Sequence, residues 1–256
     1  APVINAPARV RATGRLENAR RLAGIPGLIA PRIDALSRAA LLERADLGFP
    51  LLLRRPGYHT GRHFLRAQNR AELAAAAAAL GGEQLLAIEY LEARGADGMA
   101  RKYRVMFIDG LAYPLHLAIS ADWKVHYFSA AMATNASFRD EERRFLEDMP
   151  AVLGAKAMAA LERVNSTLGL EYAGIDFGLA RCGSVLLFEA NATMVVFPPG
   201  PEPIWDYRRR AIDTVLEAAR RMLTRRLELK PLAAPTAGRS STPPDSSTRR
   251  QTNSSD

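Results

Sequence analysis

The stretch Tyr172–Met194, YAGIDFGLARCGSVLLFEANATM, decides how this chain is read. Two short apolar runs flank a turn at Arg181 to Ser184, which is the pattern of a β-hairpin. Asp176 lies on the first run, Glu189 and Asn191 on the second. Side chains alternate along a strand, so Glu189 and Asn191 share one face while Phe188 and Ala190 turn the other way into packing. The bend can set Asp176 beside Glu189. Three oxygen donors with apolar backing suit a hard cation such as Mg²⁺, which takes one or two carboxylates and completes its shell with water and phosphate oxygens. A pair of solvated acids at a sheet edge is the alternative reading.

Outward from the hairpin, Thr13 is expected to cap a helix from Arg15 to Ala23, ended by GIPG, and Ile33 to Leu47 reads as another helix. Pro50 to Arg54 is a buried strand closed by Pro56-Gly57. Asn69 caps AELAAAAAAL, which stops at Gly81-Gly82. LLAIEYL is a strand, KYRVMFIDGLAYPLHLAIS is two strands joined at Asp109-Gly110, and WKVHYF is one more. Helices are expected over Asp140 to Met149, Ala155 to Leu168 and, with an arginine-rich polar face, Tyr207 to Leu229. From Lys230 to Asp256 the chain is rich in Ser, Thr and Pro and reads as a disordered tail. The whole is α+β: two groups of antiparallel strands with helices packed on them and a cleft between the sheets.

A length of 256 residues allows one large domain or two small ones. No apolar run reaches the ~18 residues of a membrane helix, and no secretory signal is visible. The expected compartment is the cytoplasm. Cys182 is the single cysteine, which excludes an internal disulfide and a multi-cysteine zinc site. The start at Ala1 suggests a fragment or a processed product. The net charge of +8, from 35 Lys+Arg against 27 Asp+Glu, suits a polyanionic partner, nucleotide or nucleic acid. An arginine-rich host proteome, in keeping with 16 prolines and the alanine runs, explains it equally well. His59 and His63 flank Gly61 in a loop, not a helix, and are not read as a zinc pair. His116 and His126 are read as strand residues that could touch a substrate, and Arg208 to Arg210 with Arg220 to Arg226 as a solvated helix face.

These motifs, in this order, resemble the ATP-grasp superfamily, most of all ligases of the ribosomal-protein glutamate ligase and glutathione synthase type. The resemblance runs from about Val3 to Val196 and implies an ATP-grasp fold over 1–229, with a small nucleotide-clasping part near 35–90. In the family a strand aspartate and a Glu-x-Asn strand hold two magnesium ions against ATP. Asp176, Glu189 and Asn191 match, with Glu189 in the bridging position. FPLLLRRPGYHTG is similar to the family's strand-lysine-proline segment and glycine loop, with Arg54 in place of the phosphate-contacting lysine. GRLENARRLAGIPG resembles the helix of a second such lysine, here Arg15. IEYLEARG resembles the inter-sheet linker that reads adenine, which puts Glu89, Tyr90 and Leu91 at the base. Arg104 matches a family arginine. Ile119 stands where an arginine for the acyl-phosphate is usual, and Lys124 or His126 could supply that charge.

The resemblance thus implies an ATP- and Mg²⁺-dependent carboxylate–amine ligase acting through an acyl-phosphate, its substrates unnamed, with Arg104 and Lys124 at the chemistry. It also implies an N-terminal domain, absent here, whose place a partner chain could take. Two alternatives stand beside it: a catalytically inactive ATP-binding regulatory module of a larger protein, and a basic nucleic-acid-associated protein. The second is disfavoured because aromatic residues are not interleaved with the arginines.

Overall fold

The computed structural model describes residues 3–58, 61–125, 127 and 130–228. The expectations for His59, His126 and the tail from residue 230 lie outside the described residues.

Alternating apolar residues along β6 (Ala100–Ile108), β7 (Leu111–Ser120), β8 (Tyr172–Leu179) and β9 (Val185–Asn191) build a large sheet. With β1 (Leu28–Ile29) its order is β1-β9-β8-β6-β7, all antiparallel except the short parallel β1–β9 pair. Asp109 and Gly110 turn the β6–β7 hairpin with positive φ, the conformation an Asp-Gly pair favours. One face of this sheet carries Tyr103, Val105, Phe107, Leu117, Ile175 and Phe177, which pack with Phe145, Ala157, Leu161 and Val164 of α5 (Ala136–Glu147) and α6 (Met149–Leu168). Each large side chain buried there contributes about 1.5–3 kcal/mol. Gly154, at φ 78°, breaks α6 near its start, so its regular part begins where the sequence places it, at Ala155.

The second sheet has the order β2-β5-β3-β4, from β2 (Ile33–Ser37), β3 (Leu51–Arg54), β4 (Phe64–Ala67) and β5 (Gln84–Glu89). Its outer face buries Leu51, Leu53, Ala67, Leu85 and Ala87 under α3 (Arg38–Glu43) and α4 (Arg70–Leu80). Asn69 caps α4 by accepting from the Glu72 N–H, as its sequence implies. Its inner face, with Leu52, Phe64, Leu86 and Ile88, joins Leu16 and Ala19 of α2 (Arg15–Leu22). A short α1 (Pro7–Arg11) leads into α2, and α7 (Asp206–Glu228) packs Ile212, Val215 and Met222 on Met106, Leu115 and Met194.

Four local expectations are corrected. Ile33–Ser37 is a strand, not the start of a helix, because its backbone groups pair with β5 and only Arg38–Glu43 is helical. Thr13 does not cap α2: Gly14 holds that position and the Thr13 hydroxyl donates to the Val10 carbonyl. Trp123–Val125 form no strand but a bent segment after β7. Arg208 is not on a solvated face; it is buried beside Glu142, its Nε 3.2 Å from Oε1.

Candidate functional site

The inner face of the large sheet is built by register. Asp176 stands opposite Arg104 on one side and opposite Glu189 on the other, while Asn191 stands opposite Gly174. Residues paired across antiparallel strands project from the same face, so one surface carries Lys102, Arg104, His116, Asp176, Glu189 and Asn191. The carboxylates and the amide that the hairpin sequence singled out are therefore brought together.

A bulge refines this surface. The register steps from Asp176–Glu189 to Phe177–Leu187, leaving Phe188 as the extra residue. Phe188 was expected to turn into packing with Ala190. Instead its ring lies over Gly178, where a Cβ would stand 2.9 Å from Phe188 Cζ and 2.7 Å from Ala93 of the inter-sheet connection. A side chain at 178 would push both away. The bulge also frees the Phe188 carbonyl, which accepts from Arg15 Nη1 at 2.6 Å.

Every metal-ligand candidate is engaged by a neighbour. Arg104 grips Asp176 with Nε–Oδ1 at 2.5 Å and Nη2–Oδ2 at 2.8 Å, and Lys102 Nζ lies 3.4 Å from Oδ2. Asp176 is 5% exposed. Burial works to raise its carboxyl, but the Lys102 charge and the bonds and charge of Arg104 outweigh this and hold it well below the ordinary carboxylate range. Glu189 Oε2 is 2.7 Å from Arg15 Nη2, and its Oε1 accepts from Asn191 Nδ2 at 3.1 Å. Asn191 Oδ1 accepts from the Thr193 N–H at 2.8 Å. Among the described residues no three His, Cys, Asp or Glu side chains gather as a metal cluster, so this donor set is two carboxylates and one amide. It is all oxygen, which fits Mg²⁺ and not a soft metal.

Across the cleft, Arg54 at the end of β3 is buried, packs on the Phe64 ring at 5.3 Å and donates to the Tyr58 carbonyl. Burial and then the Arg15 charge lower the affinity of Arg54 for its proton, while Glu189 opposes them, which places Arg15, Arg54 and Glu189 within one electrostatic group. Lys124 spans the two sheets from the segment after β7: its Nζ is 3.4 Å from the Phe64 carbonyl and 5.9 Å from that ring. The connection from β5 to β6 carries the other three expected residues. Glu89 is tied to the residue before β2, accepting at Oε2 from the Arg32 N–H at 2.9 Å. The Tyr90 ring lies 5.6 Å from the Arg66 guanidinium, and Leu91 is half-buried beside it in the chain.

Two departures from the sequence reading change the site. Ile119 is fully buried in the helix-packed core, on the face opposite Asp176, so it marks no vacancy in the cleft. Its partner in the ladder is Arg101, one residue out of phase with the cleft-facing Lys102 and Arg104. Conversely, Lys102 joins the site without having been singled out, and the buried His116, read from the sequence as a strand residue that could touch a substrate, lies on the same face. Alternation from Arg104 would have found Lys102; His116 becomes a neighbour only through the β6–β7 register, in which it opposes Arg104.

No family model matches the sequence, and no curated protein matches it. Solved structures do. D-alanine–D-alanine ligase from Bacillus anthracis complexed with ATP is similar over 89% of this chain and 71% of that one, with TM-score 0.51 and 15% identity. The ADP complex of N5-carboxyaminoimidazole ribonucleotide synthetase is similar over 72% of this chain and 45% of that one, with TM-score 0.51 and 14% identity. VanG D-Ala:D-Ser ligase from Enterococcus faecalis gives TM-score 0.50 and 16% identity, covering 85% and 65%. The chain has the ATP-grasp fold. Structural similarity at so low an identity shows the fold alone and leaves the chemistry to be argued from the residues.

Proposed function

We propose that the chain is the ATP- and Mg²⁺-dependent module of a carboxylate–amine ligase. The observation that carries this is the pairing of Asp176 with Glu189, with Asn191 beside them, on a sheet face that meets Arg15 and Arg104. Asp176, Glu189 and Asn191 would hold magnesium, whose chemistry here is to neutralise the phosphates of ATP. Arg15 and Arg54 would hold phosphate oxygens, since a guanidinium keeps its charge and forks onto them. The inner apolar face of the small sheet and the segment Glu89 to Leu91 would take the base.

In the reaction, a carboxylate oxygen of the substrate attacks the γ-phosphorus and ADP leaves. An amine nitrogen then attacks the acyl carbon and inorganic phosphate leaves, the amine losing its proton to solvent or a base. The protein's part in phosphoryl transfer is positioning and charge neutralisation. Arg104 faces the transferred group, and Lys124, whose charge is disfavoured by burial and then by Arg54, adds a cation from the rim. The replacement of both expected lysines by Arg15 and Arg54 favours a second reading, an ATP-binding module without turnover.

Thermal denaturation with and without Mg-ATP tests the nucleotide reading. Ligand at a hundredfold over its dissociation constant adds about 2.7 kcal/mol to the native chain, and Glu189→Gln and Asn191→Ala lose that gain. A folded native chain that gains nothing refutes it. ADP release with pooled carboxylates and amines then separates ligase from silent binder.

A further inference from the structure

The four carboxylate oxygens of Asp176 and Glu189 are all occupied from within the chain. The occupants differ in kind. Asn191 is itself a candidate ligand, but Arg104 on Asp176 and Arg15 on Glu189 are cations, and a metal ion cannot enter beside them without like-charge repulsion. Both guanidiniums are also groups a triphosphate would attract. We propose that Arg15 and Arg104 are exchange partners: without nucleotide they hold Glu189 and Asp176 closed to divalent cations, and a triphosphate draws them off. Metal and nucleotide then bind as a pair and each alone binds weakly.

This rests on the nucleotide reading above and adds regulation of entry to it. The geometry carries it at two independent points. At Asp176 the clamp is a two-bond fork on a buried carboxylate, and Lys102 Nζ, 3.4 Å from Oδ2, is a further cation that a metal there must displace. At Glu189 the clamp is a single ion pair at a carboxylate 31% exposed, and Arg15 keeps a second bond to the Phe188 carbonyl. Thermodynamic linkage makes the coupling reciprocal: the factor by which triphosphate tightens the metal is the factor by which metal tightens the triphosphate.

The test uses Mn²⁺ alone, followed by its paramagnetic resonance, and the ATP analogue AMPPNP alone in EDTA. Arg104→Gln and Arg15→Gln should each bind Mn²⁺ roughly tenfold more tightly than the native chain, while metal-free AMPPNP binds roughly tenfold more weakly. These opposite signs separate an exchange partner from a residue that merely supports the fold, whose loss weakens both. If Arg104→Gln fails to fold, Arg15→Gln decides, because its pair is more exposed than the Asp176 fork. Mn²⁺ affinity unchanged or weakened in the folded variants overturns the exchange. A native chain whose melting is unmoved by Mn²⁺ and AMPPNP together overturns the nucleotide reading instead.

Discussion

On the strands of the large sheet, neighbours in sequence meet opposite surroundings: Tyr103 and Arg104, Leu117 and His116, Ile175 and Asp176. The first of each pair lies under α5 and α6 in a core of ordinary apolar contacts. The second lies on the cleft face among ionised groups. A strand's two-residue period lets one segment do both jobs, and the energetics divide accordingly. The apolar face stabilises the fold without any particular partner. The charged face stabilises nothing unless each ion is matched, because a buried ion without its partner costs several kcal/mol.

The sharpest way to break this division is Arg104→Met. It removes the fork from a carboxylate that is 5% exposed and leaves Lys102 as its counter-charge. A loss of about 3–5 kcal/mol is expected in denaturant unfolding. A loss under about 1 kcal/mol would mean that the cleft face is solvated and the pairing incidental.

Ile119→Ala probes the opposite face of the same sheet. With the side chain fully buried among Tyr103, Leu117 and the helices, about 2–5 kcal/mol of stability is lost through the cavity. The Mg-ATP thermal shift is retained at temperatures where the variant is folded. Glu189→Gln should behave inversely, near-native in stability and silent toward Mg-ATP. Loss of binding in Ile119→Ala would return residue 119 to the cleft and undo the face assignment.

Acid pH reads the charged face through His116. Burial lowers its pKa below the ordinary value of about 6.5, the charges of Arg104, Lys102 and Arg208 lower it further, and Asp176 opposes them. The folded chain thus keeps the ring neutral while the unfolded chain takes up a proton. The unfolded state binds more protons below about pH 6.5, so stability falls as pH drops through that value, by up to about 1.4 kcal/mol per unit. His116→Gln should flatten the dependence of unfolding free energy between about pH 7.5 and 5.5. Equal slopes in the two proteins would mean that the ring is solvated.

Much of this was legible because periodicity and turn chemistry are local. Asp109-Gly110, the Asn69 cap and the Asp176–Glu189 face follow from neighbours in sequence. The failures at Ile33–Ser37, Phe188 and Ile119 share a cause, which is that the deciding partner is distant. Ile33–Ser37 has helix-compatible residues, and only pairing with Gln84–Ile88 makes it a strand. Phe188 faces the cleft because β8 and β9 slip past each other by one residue, an event invisible in either strand alone. Ile119 was matched by motif position, whereas its direction is set by its ladder partner Arg101. His116 enters the site through the same ladder, opposite Arg104.

The smallest expected effect concerns the bridge between the sheets. Lys124 is exposed, and its contacts with Phe64 are a long hydrogen bond and a distant ring. Exposed charges of this kind are worth about 0–1 kcal/mol, so Lys124→Met should leave unfolding within about 0.5 kcal/mol of native. If the residue serves only to tie the segment after β7 to β4, the Mg-ATP shift is also unchanged. If it meets the phosphates, a weaker shift accompanies native stability, since the charge is lost while the fold is kept. The second outcome is expected, because burial and the Arg54 charge already disfavour its ionised form, and an arriving polyanion relieves the second of these. A cation held at some electrostatic cost near Arg54 gains more from a phosphate than one free in water.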